Sequence, residues 1–252
     1  MMENAVMHIR TGLLAVACIL AAALGCAGGG GSGESSTPIV SAPLSASGTI
    51  RIMPLGDSIT SSLDGEASYR YWLYQQLAAS GLSVDFVGSQ RGVHRGEPRF
   101  PDFDQDHEGH WMWRADEIRL RIGEWMTTYQ PEIVLLHIGT NDIFQGQGAA
   151  STAEDIRGIV STILSTDPDT RIVLSLLIPP DRDPARMVEL NALLPEIAGS
   201  LSTIENPIAL VDQYTDFDPN LDTVDGVHPN ASGENKLAAK FHSAILQFIY
   251  FE

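Results

Sequence analysis

From Ile50 to Phe248, short apolar runs alternate with stretches of helical periodicity, and this alternation constrains the fold more than any other feature of the chain. Strand–helix–strand units of this kind close as crossovers around a parallel sheet. The spacing predicts strands over residues 51–55, 84–87, 133–138, 171–177 and 207–211. Helices are predicted over 68–79, 115–129, 152–165, 185–201 and 232–248. The second to fourth strands read as continuous hydrophobic runs, as expected where helices cover both faces of a sheet. In the last helix Leu237, Phe241, Ile245 and Phe248 recur at spacings of four, four and three, which makes a buried stripe. Residues 93–109 read as a long polar loop, and loops of that length in compact domains are commonly functional. There is no internal repeat. A chain of 252 residues with 44% hydrophobic content suits one α/β domain with additions.

The additions lie at the N-terminus. Arg10 precedes an apolar run from Gly12 to Leu24, too short to span a bilayer comfortably, so residues 1–25 read as a signal peptide. Leu24-Gly25-Cys26 resembles a bacterial lipoprotein cleavage box, which would put a lipid anchor on Cys26. A competing cut after Ala21-Ala22-Ala23 would release a soluble protein. Either route makes the protein exported. Cys18 sits inside the apolar run, so after cleavage only Cys26 remains and no internal disulfide forms. Residues 26–49 are rich in Gly, Ser, Ala and Pro and read as a flexible tether, leaving 50–252 as the folded domain. With 15 Lys and Arg against 32 Asp and Glu, the net charge of −17 disfavours nucleic acid, whose phosphates need clustered cations.

Polar groups then collect at one edge of the predicted sheet. Gly56-Asp57-Ser58 ends the first strand, Gly88 follows the second, Gly139-Thr140-Asn141-Asp142 follows the third, and Asp225-Gly226-Val227-His228 precedes the last helix. In open α/β sheets, ligands bind outside the carboxyl ends of the strands. Serine is a poor nucleophile without a base beside it, histidine is the base suited to neutral pH, and a carboxylate fixes its tautomer. Asp225 and His228 share a turn that contains Gly226 and ends at Pro229. The backbone N–H groups of Ser58 and Gly88 and the Asn141 amide are candidates for holding an oxyanion. Taken singly, Asp57-Ser58 reads equally well as a helix N-cap, and Asn141-Asp142 as an Asx turn.

Gly-Asp-Ser, the Gly after strand two, Gly-x-Asn-Asp and Asp-x-x-His, in this order, resemble the four blocks of the SGNH (GDSL) hydrolases over roughly Ile50 to Phe248. The resemblance implies a three-layer α/β/α sandwich around a flavodoxin-like five-stranded parallel sheet. It implies Ser58 as nucleophile, His228 as base, Asp225 as its partner, and an oxyanion hole of Ser58, Gly88 and Asn141. Neither metal nor cofactor is expected. The runs Ile52–Ser58, Ser68-Tyr69-Arg70, Val84–Gln90 and Asp106–His110 are similar to carbohydrate esterase family three, whose members deacetylate xylan. Thr140 stands where that family would have a second glycine, and Trp111-Met112-Trp113 carries one extra Trp.

The resulting expectation is an exported serine esterase that removes acetyl groups from plant polysaccharide such as acetylxylan, or from small acetyl esters. The alternatives are a lipolytic esterase or thioesterase of the same superfamily and a non-catalytic carbohydrate-binding lipoprotein. Around the site, Asp57, His107, Trp111 and Trp113 are candidate substrate contacts, although Asp57 fits better as a shaper of the turn. The competing reading has Trp113 sealing the core and Asp106 bonded to His107. A metal site at His94, His107 and His110 is disfavoured, because no pair has the i,i+4 spacing of a helical site.

Overall fold

The computed structural model describes residues 48–250. The expected signal peptide, Cys26 and nearly all of the expected tether lie outside them. Five parallel strands form the body of the sheet: β1 (Thr49–Gly56), β2 (Ser83–Phe86), β5 (Ile133–His137), β6 (Arg171–Ser175) and β7 (Ile208–Val211). They run in the order β2-β1-β5-β6-β7. Chain order therefore reverses between β1 and β5, which is the switch point where such sheets bind ligands.

Alternation along the strands sorts the core into two layers. Met53, Leu55, Val134, Leu136, Ile172 and Leu174 face one way, against α3 (Ala115–Arg119), α4 (Ile122–Tyr129), α6 (Ala149–Thr166), α7 (Pro184–Asn191) and α8 (Leu194–Leu201). Ile50, Ile52, Ile133, Leu135 and Val173 face the other, against α2 (Ser68–Ala79) and α10 (Ala231–Tyr250). The stripe Leu237, Phe241, Ile245 and Phe248 is buried there as its spacing predicts. All positions of β5 and β6 are buried, but β2 buries only Phe86 fully, because it is an edge strand.

Three expectations change. The polar stretch 93–109 is not all loop: Asp106–Gly109 forms strand β4, parallel to Leu55-Gly56 of β1 and antiparallel to the two-residue β3 (Gln90–Arg91). The physical reason is an edge left open. Strand β2 pairs with Thr49–Ile52 only, and the backbone groups of Leu55 and Gly56 need partners. The sheet is therefore seven-stranded and mixed rather than purely parallel. The helix predicted over 185–201 breaks at Ala192-Leu193, since Pro195 lacks an N–H and its ring would clash with the carbonyl of Asn191. The helix predicted over 115–129 likewise divides, at Leu120-Arg121.

Candidate active site

The site is built where β1 ends. Asp57 turns the chain into the one-turn helix α1 (Ser58–Ser61), its Oδ1 accepting the Ile59 N–H at 2.9 Å. That is the N-cap role, and it belongs to Asp57. Ser58, the first helical residue, keeps its hydroxyl free for another partner. Its Oγ–H donates to His228 Nε2 at 2.9 Å, and His228 Nδ1–H donates to Asp225 Oδ2 at 2.8 Å. Asp225 Oδ1 accepts the His228 amide at 2.8 Å and the Val227 amide at 3.1 Å, which folds the turn back on its own carboxylate. Burial pushes the Asp225 carboxyl up, but the hydrogen bonds from His228 and Val227 outweigh it and hold the group below its ordinary range. A hydroxyl, an imidazole and an ionised carboxylate in this sequence can transfer a proton away from the hydroxyl oxygen.

Asn141 enters from α5 (Thr140–Phe144), which starts directly after β5 and Gly139. One hydrogen of its amide goes to the Trp113 carbonyl at 3.0 Å. This bond fixes the orientation of the group and leaves a second hydrogen. Ser58, Asn141, Asp225 and His228 line a cavity of about 360 Å³, together with Met112, Phe144, Asp181, Arg182 and Val227. Gly88 is not among the lining residues. Its place is set by close approach: a Cβ there would lie 2.2 Å from the backbone carbon and oxygen of His107. Glu108 of β4 reinforces that contact, accepting the Ser89 amide and hydroxyl at 2.6 Å each and His110 Nε2 at 2.5 Å.

The four candidate substrate contacts fare differently. Asp57 is fully buried beneath α1 and does not reach the cavity; burial, then the nearby Asp142 carboxylate, raises its carboxyl to about 7. His107 is also buried, because alternation along β4 sends it inward while Asp106 points out to Arg91 at 2.9 Å. The expected Asp106–His107 pair therefore does not form; His107 Nδ1 accepts the Gly109 N–H at 3.0 Å instead. Trp113 stacks on His110 with centroids 4.1 Å apart and packs against the core, which is the sealing role. Trp111 alone stays at the site. Its indole lies nearly parallel to the His228 ring, at 5.0 Å and 7°, and to the His94 ring, at 4.1 Å and 12°. Among the described residues, no group of three or more His, Cys, Asp or Glu is arranged to hold a metal ion.

The residues that sequence reasoning missed lie on two loops. Asp181 and Arg182 follow β6, and the edge rule that picked out the loops after the other strands covers this one too. The Arg182 guanidinium carbon sits 3.9 Å over the Phe144 ring. Met112 has a left-handed backbone (φ 67) that nothing in its residue type announces. Gln145 Nε2 holds its carbonyl at 3.1 Å and leaves the side chain half exposed at the cavity rim.

Residues 55–236 match the GDSL-like Lipase/Acylhydrolase family. A multidomain esterase of Ruminococcus flavefaciens is 29% identical over 217 residues, covering 77% of this chain and 28% of that protein. The chain thus spans well under a third of that relative's length. Among solved structures, an acetyl esterase variant with an acetate ion superposes with a TM-score of 0.73 at 29% identity, over 80% of this chain and 98% of the other. A Clostridium thermocellum family 3 carbohydrate esterase gives 0.70 at 32% identity, with the same 80% and 98% coverage.

Proposed function

The chain belongs to the GDSL-like lipase/acylhydrolase family and is a carboxylic ester hydrolase; from this premise we propose that it removes O-acetyl groups from plant polysaccharide such as acetylxylan. The observation that carries the reading is the hydrogen-bonded series Ser58–His228–Asp225 opening into a cavity of about 360 Å³. Ser58 Oγ attacks the acetyl carbonyl carbon while His228 Nε2 takes its proton. The oxyanion rests on the Ser58 amide and on Asn141 Nδ2; Gly88, whose amide is the third candidate donor, is not among the residues lining the cavity. Collapse breaks the ester bond, and His228 returns the proton to the departing sugar oxygen. Water then attacks the acetyl-serine, giving its proton to the same imidazole, and acetate leaves.

The size and chemistry of the cavity favour a short acyl group on a polar alcohol. Asp181, Arg182, Asn141 and Asp225 supply polar groups, while Met112, Phe144 and Val227 supply limited apolar surface. A long acyl chain would need a deep apolar channel, so the lipolytic reading is the weaker one. An intact proton-transfer series has no use in a binding protein, which disfavours the non-catalytic reading. The sequence resemblance at residues 24–26 supports an exported enzyme, lipid-anchored at Cys26 or released.

Acetate release from acetylated xylan, wild type beside Ser58→Ala, tests the proposal. We expect release by the wild type and none by the variant. Aryl octanoate cleaved clearly faster than aryl acetate by the wild type would replace the deacetylase reading with the lipolytic one.

A further inference from the structure

We propose that Trp111 is a positioning residue for the catalytic base, and that the three-ring stack His94–Trp111–His228 holds the His228 imidazole from its face. The inference rests on the reading of His228 as the base.

The sequence suggested Trp111 as a platform for a sugar ring, but two imidazoles already stack on it, His228 at 5.0 Å and 7° and His94 at 4.1 Å and 12°. The two hydrogen bonds of His228, to Ser58 at 2.9 Å and to Asp225 at 2.8 Å, both involve its ring nitrogens and so act in the plane of the ring. They fix the ring within that plane but resist poorly a tilt about the line that joins the nitrogens. A flat group against the ring face resists that tilt, and Trp111 is such a group.

The stack is itself anchored to the segment that carries Ser58. The His94 amide donates to Ser62 O at 3.1 Å, at the end of α1. The His110 amide donates to Gly56 O at 2.9 Å, two residues before Ser58, and the turn that presents Trp111 closes by a bond from the Trp113 amide to His110 O at 3.2 Å. Nucleophile and ring stack therefore share one base.

Electrostatics work in the same direction. When His228 takes the serine proton it becomes a cation within about 6 Å of an indole face, the range in which cation–π attraction acts. Burial, then Arg95, hold His94 below its ordinary imidazole range, so near neutral pH a neutral ring backs the indole and does not compete for it. The other charged and titratable groups around His228 are Asp225 on its own loop, Ser58, Asp181 and Arg182 across the cavity, and Arg95 beyond His94. A substitution at Trp111 alters none of them.

The test is the pH dependence of kcat and KM on an aryl acetate, a substrate too small to need a sugar platform, for wild type, Trp111→Phe, Trp111→Leu and His228→Ala. We expect Trp111→Leu to lower kcat roughly 10-fold with little change in KM. Its acid limb should move about half a pH unit lower, because the imidazolium loses the indole face. Trp111→Phe, which keeps a ring, should recover most of both effects. A wild-type profile for Trp111→Leu on aryl acetate, with a raised KM confined to acetylated xylooligosaccharide, overturns the proposal and makes Trp111 a sugar contact. Full activity in His228→Ala overturns the base assignment itself, and with it this inference. Proton NMR of the wild type decides the matter if the leucine variant does not fold. The ring Cε1–H signals of His94 and His228 should both be shifted upfield by the indole ring current, and unshifted signals reject the stack.

Discussion

At the scale of single residues, the division of labour between neighbours matters most. Asp57 caps α1 and is buried, while Ser58, one position on, faces the cavity. The two readings of the Asp57-Ser58 pair thus separate: the cap falls on Asp57, and Ser58 presents its hydroxyl to His228. Asn141 shows a similar economy, with one amide hydrogen committed to Trp113 O and the other left for chemistry. We expect Asn141→Ala to lower turnover on an aryl acetate by roughly 10²–10³-fold, the usual cost of removing an oxyanion donor. An unchanged rate would take Asn141 out of the hole. That Ser58, His228, Asp225 and Asn141 meet at one cavity was legible, because all four lie at the carboxyl edge of the predicted sheet. Asp57 and His107 misled as substrate contacts because residue type does not reveal burial. Arg182 escaped notice although the edge rule reaches its loop, because a lone cation there names no chemistry, and the left-handed backbone of Met112 carries no signature in its residue type.

Elements are held around the site by buried polar groups more than by their own propensity. Arg70 of α2 is fully buried. Its guanidinium donates to Thr60 O at 3.0 Å and Ser61 O at 3.2 Å at the end of α1, to Gln105 O at 2.7 Å, to Ser68 Oγ at 3.1 Å, and to Gly92 O. Burial pulls it down to about 10, and it remains a cation near neutral pH. One side chain thus ties α1 to both ends of the 92–105 stretch, which explains how so polar a segment can be ordered. Lysine offers a compact point charge in place of the planar fork and cannot reach all these carbonyls. We expect Arg70→Lys to cost at least about 3 kcal/mol, because several buried acceptors lose their donor. Urea unfolding measures it, and a loss under about 1 kcal/mol would show that the fork is dispensable. Strand β4 belongs to the same lesson. Its Asp-His-Glu-Gly run has no apolar alternation, and it becomes a strand because β1 offers an unpaired edge beyond β2.

For the whole molecule, buried titratable groups set how stability varies with pH. Burial raises Asp57 and Glu234 to about 7 and Asp142 to about 6, whereas it lowers His137 to about 4 and His107 well below its ordinary value. A carboxyl raised in the folded state stabilises most below its unfolded value and loses that contribution as pH climbs through the folded one. A lowered imidazole does the reverse, contributing fully above its unfolded value near 6.5. The two sets therefore oppose each other on the acid side. Above about pH 6.5 both imidazoles are neutral in either state, and only Asp57 and Glu234 still hold protons that the unfolded chain has released. We expect the melting temperature to fall as pH rises through 7, and to fall less in Glu234→Gln, which keeps an acceptor for the Ser68 amide. A melting temperature that rises steadily from pH 6 to 8.5 would contradict this account.

The sequence by itself determined the five parallel strands, the two helical layers and the residue types gathered at the carboxyl edge of the sheet. Hydrophobic periodicity and the chemical demands of the reaction are both local or one-dimensional, and a chain displays them directly. Only the tertiary structure decided which polar residues are buried, where β4 would pair, and that two imidazoles stack on Trp111. Those outcomes depend on backbone edges left unpaired and on side chains meeting from distant segments, as His228 and His94 each do with Trp111. No single stretch of sequence contains both partners of such a contact.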